Sequence, residues 1–324
     1  DGSRRPASNL AADQSATADT PAQLPAMIGD FTGREREVVT LDDLLPGGSD
    51  SAPSIVVVAG MAGVGKTALA VCWAHRVRDR FPDGQLYTDL AAFSTEPAAT
   101  PLRVLGEFLS ALGVSSQGVP AGLGEASALY RSLLADKRVL VVLDNAASPD
   151  QVRPLLPGGP GCRVLVTSRS GLGGLVAREG ARRLALGVLT PDEAVDLLRR
   201  LVGLDEPDAL AELARLCAYL PLALRIAAAN INACNGAGVL DQVVRLRDTE
   251  LLDSLTLDGD EEAAVRAAFA LSYEALTPAA RRLFRLLGSA AGPDGDGDPD
   301  ALFAAMEKDK AAIPYDGPER RRSA

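Results

Sequence analysis

The stretch that decides the fold runs Ser54-Ile-Val-Val-Val-Ala59-Gly60-Met-Ala-Gly-Val-Gly65-Lys66-Thr67. Ser54 to Ala59 is a continuous run rich in β-branched residues, the mark of a strand buried on both faces. Gly60 to Thr67 matches G-x-x-x-x-G-K-T and opens a helix predicted over 65–80, with Leu69, Ala70, Trp73 and Val77 on one face. A strand, a glycine-rich turn and a helix in that order build a phosphate cradle. The glycines let backbone N–H groups curl round an anion, and the helix N-terminus adds its positive end. Gly60, Gly63, Val64, Gly65, Lys66, Thr67 and Ala68 are therefore candidate nucleotide-binding positions. Lys66 would reach the β- and γ-phosphates, and the Thr67 hydroxyl would hold Mg²⁺.

Working outward, further strands are expected at Gln85 to Leu90, Arg138 to Leu143, Arg163 to Thr167 and Arg183 to Leu186. Helical stretches near 101–112, 123–135 and 148–155 separate them. Strands alternating with helices imply an α/β domain, a parallel sheet with helices on both faces. After Leu189 the strand signals stop. Thr190-Pro-Asp-Glu193 carries an N-cap, a first-turn proline and the acid of a capping box. Helices are then expected near 191–202, 207–218, 220–234 and 238–247, an all-helical second domain. A third element begins near Glu261, with apolar Val265, Phe269, Leu271, Leu283, Phe284, Leu286 and Leu287, and Thr277-Pro278 as a helix start.

The expected organisation is a flexible linker over 1–26, a nucleotide-binding domain over 27–188 and a helical domain over 189–255. A partial third domain follows over 256–291, then a poorly ordered tail over 292–324. Gly292 to Pro299 is rich in Asp and Gly, but counting from Asp294 the EF-hand positions for Gly and Glu hold Pro299 and Ala305, so it reads as a solvated loop.

Composition narrows the function classes. The chain has 324 residues, 47% hydrophobic but only 4% aromatic, so its cores should be aliphatic. A formal charge of -10 argues against nucleic-acid binding by bulk electrostatics. Cys72, Cys162, Cys217 and Cys234 form no C-x-x-C pair and read as buried thiols of a cytoplasmic protein. A lone His75 makes a His-based metal site or catalytic triad a poor fit. Apolar runs such as 54–64 and 218–229 are too short or interrupted to span a membrane. A start at Asp1 rather than Met reads as an internal segment of a longer chain.

Two strand ends carry further chemistry. In Val139-Leu-Val-Val-Leu-Asp144-Asn145-Ala146, Asp144 stands where a sheet of this kind binds ligands and is the natural Mg²⁺-side carboxylate. Asn145 follows where a second acid would suit a hydrolase. It cannot take a proton at neutral pH, although its amide oxygen can accept a hydrogen bond from water. Arg163-Val-Leu-Val-Thr167-Ser168-Arg169 ends at the same edge, where Arg169 could meet a γ-phosphate.

Taken together, these motifs resemble the NB-ARC family, STAND-class nucleotide switches shared by plant resistance proteins and apoptotic activators. Phe31-Thr-Gly33-Arg34-Glu35 looks like the motif that lies over the adenine. Val164 to Arg169 resembles the sensor strand, and Leu220-Pro221-Leu222-Ala223-Leu224 the G-L-P-L-A-L motif, with Tyr219 where that motif's first Gly falls. The resemblance implies that Phe31, Gly33, Arg34 and Pro221 lie near the adenine of ATP or ADP. The wording GMAGVGKTALA, YRSLLADKRVLVVLDNA, QVRPLLPG and LSYEALTPAARRLFRLLG is similar to actinobacterial antibiotic regulatory proteins of the SARP type, over about residues 27–290. That likeness makes 256–291 the start of a winged-helix domain and places DNA binding in a domain outside this chain. The family's M-H-D motif has no counterpart in this sequence.

Three functional readings stay open at this point. The first is a nucleotide-controlled switch with slow hydrolysis, in which Lys66, Asp144, Asn145 and Arg169 act on the triphosphate and self-association depends on the nucleotide. The second is an ATPase or kinase built for turnover, for which no convincing base is evident in the sequence. The third is a helical scaffold that binds no nucleotide.

Overall fold

Runs of Val, Leu and Ile form the three inner strands of the sheet and bury both of their faces. The computed structural model describes residues 20–45, 54–91, 98–233 and 238–248, with Leu255, Val265, Tyr273, Pro278, Arg281, Arg282 and Arg285. After helix α1 (Glu35–Leu44), strand β1 (Ser54–Ala59) leads into α2 (Lys66–Val77) and β2 (Gln85–Asp89). Helices α3 (Pro101–Ala111) and α4 (Leu123–Leu133) precede β3 (Leu140–Ala146), and short α5 (Pro149–Val152) precedes β4 (Arg163–Ser168). Then come α6 (Gly173–Glu179) and β5 (Arg182–Ala185). All pairings are parallel, in the order β2-β3-β4-β1-β5.

On one face α2 packs over β1, β3 and β4, burying Leu69, Trp73 and Val77. On the other, Val57, Val141, Leu143 and Val166 join Leu105 and Phe108 of α3 and Tyr130 of α4 in one core. Helices therefore cover both faces, as the alternation of elements predicts. The strand expected over 138–143 runs from Leu140 to Ala146 instead, because a bulge between Leu143 and Ala146 lets pairing with β4 resume beyond Asp144. Helices α1 and α6 are not foreseen by periodicity. The first buries only Val38 and Leu41, and the second spans 7 residues that open on two glycines.

Four helices follow, α7 (Pro191–Val202), α8 (Pro207–Leu216), α9 (Pro221–Ala233) and α10 (Val239–Asp248). Helix α7 packs on α8 and α9, and α10 on α8 and α9. The Thr190–Glu193 capping box is present, a cap whose loss typically costs about 1 kcal/mol.

Residues 20–26, expected to belong to the linker, lie along the outer edge of β2. Ala22 pairs in parallel with Gln85, whose N–H donates to Pro21 O at 2.7 Å and whose carbonyl accepts from Gln23 N–H at 3.1 Å. His75 Nε2 lies 2.8 Å from Pro25 O. An edge strand has unpaired backbone groups, and this segment satisfies some of them.

The chain divides into two compact units, Asp1–Ala268 and Phe269–Ala324, and every element above belongs to the first. In the second, Arg281 Nε donates to Tyr273 O at 3.1 Å. The linker before Thr20, most of 256–291, the 292–299 loop and the tail lie outside the described residues. Cys162 and Cys217 are buried free thiols and Cys72 is half-buried, while Cys234 lies outside the described residues. Among those described, no helix is long and apolar enough to cross a membrane.

Candidate functional site

The turn from β1 into α2 is shaped by glycine. A Cβ at Gly60 would lie 2.5 Å from Leu186 O, so the turn can pass this close to the exit of β5 only without a side chain. Gly63 has φ 75°, in the left-handed region. Lys66 Nζ donates to Met61 O at 2.8 Å, drawing the ammonium across the loop. Burial, then the positive charge of Arg169, lower the Lys66 pKa to about 8, with Asp144 opposing them.

Asp144 at the end of β3 is 3% exposed and receives three hydroxyls. Thr67 Oγ1 donates to both carboxylate oxygens at 3.0 and 2.9 Å, Tyr87 donates to Oδ2 at 3.2 Å, and Thr167 donates to Oδ1. Burial raises the Asp144 pKa, the hydroxyl bonds from Thr167 and Thr67 lower it, Asp89 raises it, and Tyr87 lowers it. Thr167 Oγ1 also accepts the N–H of Asn145 at 2.9 Å. Asn145 sits at the bulge with φ 57°, a left-handed conformation that Asn adopts more readily than most residues.

A cavity of about 560 Å³ gathers most of the expected residues. Gly63, Gly65, Lys66, Thr67, Ala68, Asp144, Asn145, Arg169 and Pro221 all line it. Burial lowers the Arg169 pKa. Phe31, Arg34 and Val64 line a smaller hollow of about 40 Å³, which shares Gly65, Ala68 and Pro221 with the first. Gly33 and Phe31 border a third space, of about 500 Å³, beside Trp73 and Glu193.

Arg34 is committed to the protein itself. It is 4% exposed; its guanidinium donates to Gly187 O at 2.6 Å, Val64 O at 3.2 Å and Val188 O at 3.4 Å, and pairs with Glu37 at 3.0 Å. Its N–H donates to Glu193 Oε1 at 2.8 Å. These bonds tie the phosphate loop and the start of α7 to the segment around Phe31. Helix α9 reaches the same loop: Leu222 N–H donates to Gly63 O at 3.2 Å. Just before it, Ala218 and Tyr219 have φ 49° and 56°. Tyr219 thus holds the backbone shape for which the glycine of the related motif is suited.

Sequence reasoning missed Tyr87, Asp89 and Arg225 as cavity residues and assigned Thr167 no role. The rule that ligands gather at C-terminal strand ends applies to Tyr87 and Asp89 as well.

The Thr67 hydroxyl and Asp144 carboxylate are hard oxygen donors held together, and they fit Mg²⁺. Among the described residues no three His, Cys, Asp or Glu cluster for a metal. A cation here would complete its shell with phosphate and water oxygens, as Mg²⁺ does.

A profile of the AAA ATPase domain family matches residues 30–210. The chain belongs to that family. It is 46% identical over 279 residues to "Regulatory protein AfsR" of Streptomyces griseus, covering 85% of this chain and 28% of that protein. "Disease resistance-like protein CSA1" of Arabidopsis thaliana is 33% identical over 126 residues, covering 39% of this chain and 10% of that protein. These relatives bear out the resemblance to NB-ARC switches and antibiotic regulatory proteins. The solved ORC2 protein of Aeropyrum pernix shares the fold with TM-score 0.55 at 18% identity, over 90% of this chain and 83% of that one. The chain spans less than a third of the length of the AfsR proteins it matches.

Proposed function

We propose that this segment is a nucleotide-controlled switch within a longer, cytoplasmic, signal-responsive transcriptional regulator. ATP or ADP occupies the cavity between Lys66, Asp144 and Arg169, and its identity sets the arrangement of helices α7–α10. The observation that carries this reading is the bond from Leu222 N–H to Gly63 O at 3.2 Å, which couples the first turn of α9 to the phosphate loop. Pro221, beside Leu222, lines the cavity. A change at the phosphates thus has a short mechanical path into the helices.

In this proposal Lys66 neutralises the β- and γ-phosphates and Arg169 senses the γ-phosphate. Thr67 and Asp144 hold Mg²⁺, which when bound neutralises charge on the phosphate oxygens. Phe31, Gly33 and Pro221 border the adenine, with Arg34 bracing that wall. ATP favours an open arrangement and ADP a closed one, because only ATP carries the γ-phosphate that Arg169 meets. Hydrolysis is a timer, below about 1 s⁻¹. The resemblance to antibiotic regulatory proteins supports domains at 27–188 and 189–255, a winged-helix start at 256–291, DNA contacts made by a domain outside this chain, and nucleotide-dependent self-association.

Mass spectrometry of the nucleotide released on denaturation tests the reading. Stoichiometric ADP or ATP, lost in Lys66→Ala, is the expected result. Co-purified GTP would overturn the adenine assignment, and rapid multiple turnover without a partner would overturn the switch.

A further inference from the structure

Strand β2 brings two reactive side chains into the cavity. Tyr87 and Asp89 both line it, and Tyr87 already reaches the Asp144 carboxylate at 3.2 Å. Residues two apart on a strand share a face. Between and before them Leu86 and Thr88 are buried on the opposite face. The β2–β3 register pairs Asp89 with Asp144, setting their backbones about 5 Å apart. Their environments differ sharply. Asp144 is enclosed by three hydroxyls, whereas Asp89 is exposed. Asp89 Oδ1 accepts the N–H of Ala91 at 2.7 Å, which fixes the carboxylate at the strand's end.

We propose that Asp89 is the carboxylate that orients and deprotonates the attacking water, so that β2 supplies the acid missing after Asp144 on β3. The assignment rests on the nucleotide reading above. As the water oxygen bonds to the γ-phosphorus, the bond from that phosphorus to the β–γ bridging oxygen breaks, and ADP leaves with its electron pair. The water proton passes to Asp89, which returns it to solvent as phosphate departs. Asn145 accepts a hydrogen bond from the same water but takes no proton.

Single-turnover hydrolysis of ATP with Mg²⁺ tests this. Asp89→Asn retains the Oδ1 acceptor for Ala91 and removes only the base. The rate should fall at least about a hundredfold, the lower range for loss of a general base. Affinity for a fluorescent ADP analogue and the melting temperature should stay at wild-type values, while affinity for ADP with aluminium fluoride falls about tenfold, since that complex holds the in-line water. Adding Asn145→Asp to Asp89→Asn should restore at least about tenfold of the rate by returning a carboxylate from the neighbouring strand. Wild-type hydrolysis by Asp89→Asn overturns the proposal, as does a loss of ADP affinity equal to the loss of rate. A wild-type chain that binds ATP but never cleaves it overturns Asp89 alone. One that binds neither ATP nor ADP overturns the nucleotide reading as well.

Discussion

The guanidinium of Arg34 donates to Gly187 O at 2.6 Å, joining residues 153 positions apart in sequence. The same nitrogen reaches Val64 O at 3.2 Å, so one buried cation spans the phosphate loop and the exit of β5. Arg34→Ala should destabilise the chain by about 2–4 kcal/mol, because the buried Val64 carbonyl and the part-buried carbonyls of Gly187 and Val188 lose charge-assisted partners. Arg34→Lys should recover only part of that loss, since an ammonium lacks the planar fork. Urea unfolding followed by the single Trp73 measures both.

Gly63→Ala should weaken two properties together. The left-handed backbone costs a side chain about 1–2 kcal/mol. The new Cβ would also stand 3.0 Å from Leu222 Cβ and press on α9. Lower urea midpoints with at least about tenfold weaker ADP binding are expected, a binding loss near the free energy of the strain.

Lys66 gives nucleotide affinity a pH dependence. Its pKa of about 8 in the folded chain lies below the ordinary lysine value. Between about 8 and that ordinary value the unfolded chain binds more protons, so this group's destabilising effect is full below about 8 and fades as pH rises. Phosphate favours the charged amine, so binding should take up protons above pH 8 and weaken by up to about tenfold per pH unit there. Calorimetric titration of ADP from about pH 7 to about 9.5, in buffers of different ionisation enthalpy, reads this uptake. Lys66→Arg should flatten the slope.

Ala218→Gly should stabilise the chain. Ala218 is exposed and left-handed, and its N–H donates to Arg215 O at 2.9 Å, a bond glycine keeps. Relief of the backbone exceeds the extra entropy of glycine by about 0.5–1 kcal/mol. A rise in the thermal midpoint of a few degrees checks it.

The phosphate loop is legible because its chemistry needs contiguous residues: strand, glycines, Lys66 and Thr67. Asp144 and Arg169 are legible as the polar ends of apolar strands. Asp89 is a polar strand end too, but that it stands beside Asp144 depends on β2 lying next to β3, a neighbour relation that no local pattern encodes. The bonds of Arg34 are hidden for the same reason. Asn145 shows a different limit. Its residue type suggests chemistry, yet its φ of 57° shows that backbone shape also selects it. Helices α1 and α6 escape because each presents too few apolar positions for a period to register.

The backbone around Ala22 has a practical consequence for anyone dissecting this protein. With Pro21 and Gln23 bonded to Gln85, the sheet does not offer that part of its rim to another chain. A version trimmed to begin at Ala26 would bare it, and light scattering should show association that the longer chain resists. Residues 21–23 are thus expected to guard solubility as well as complete the sheet.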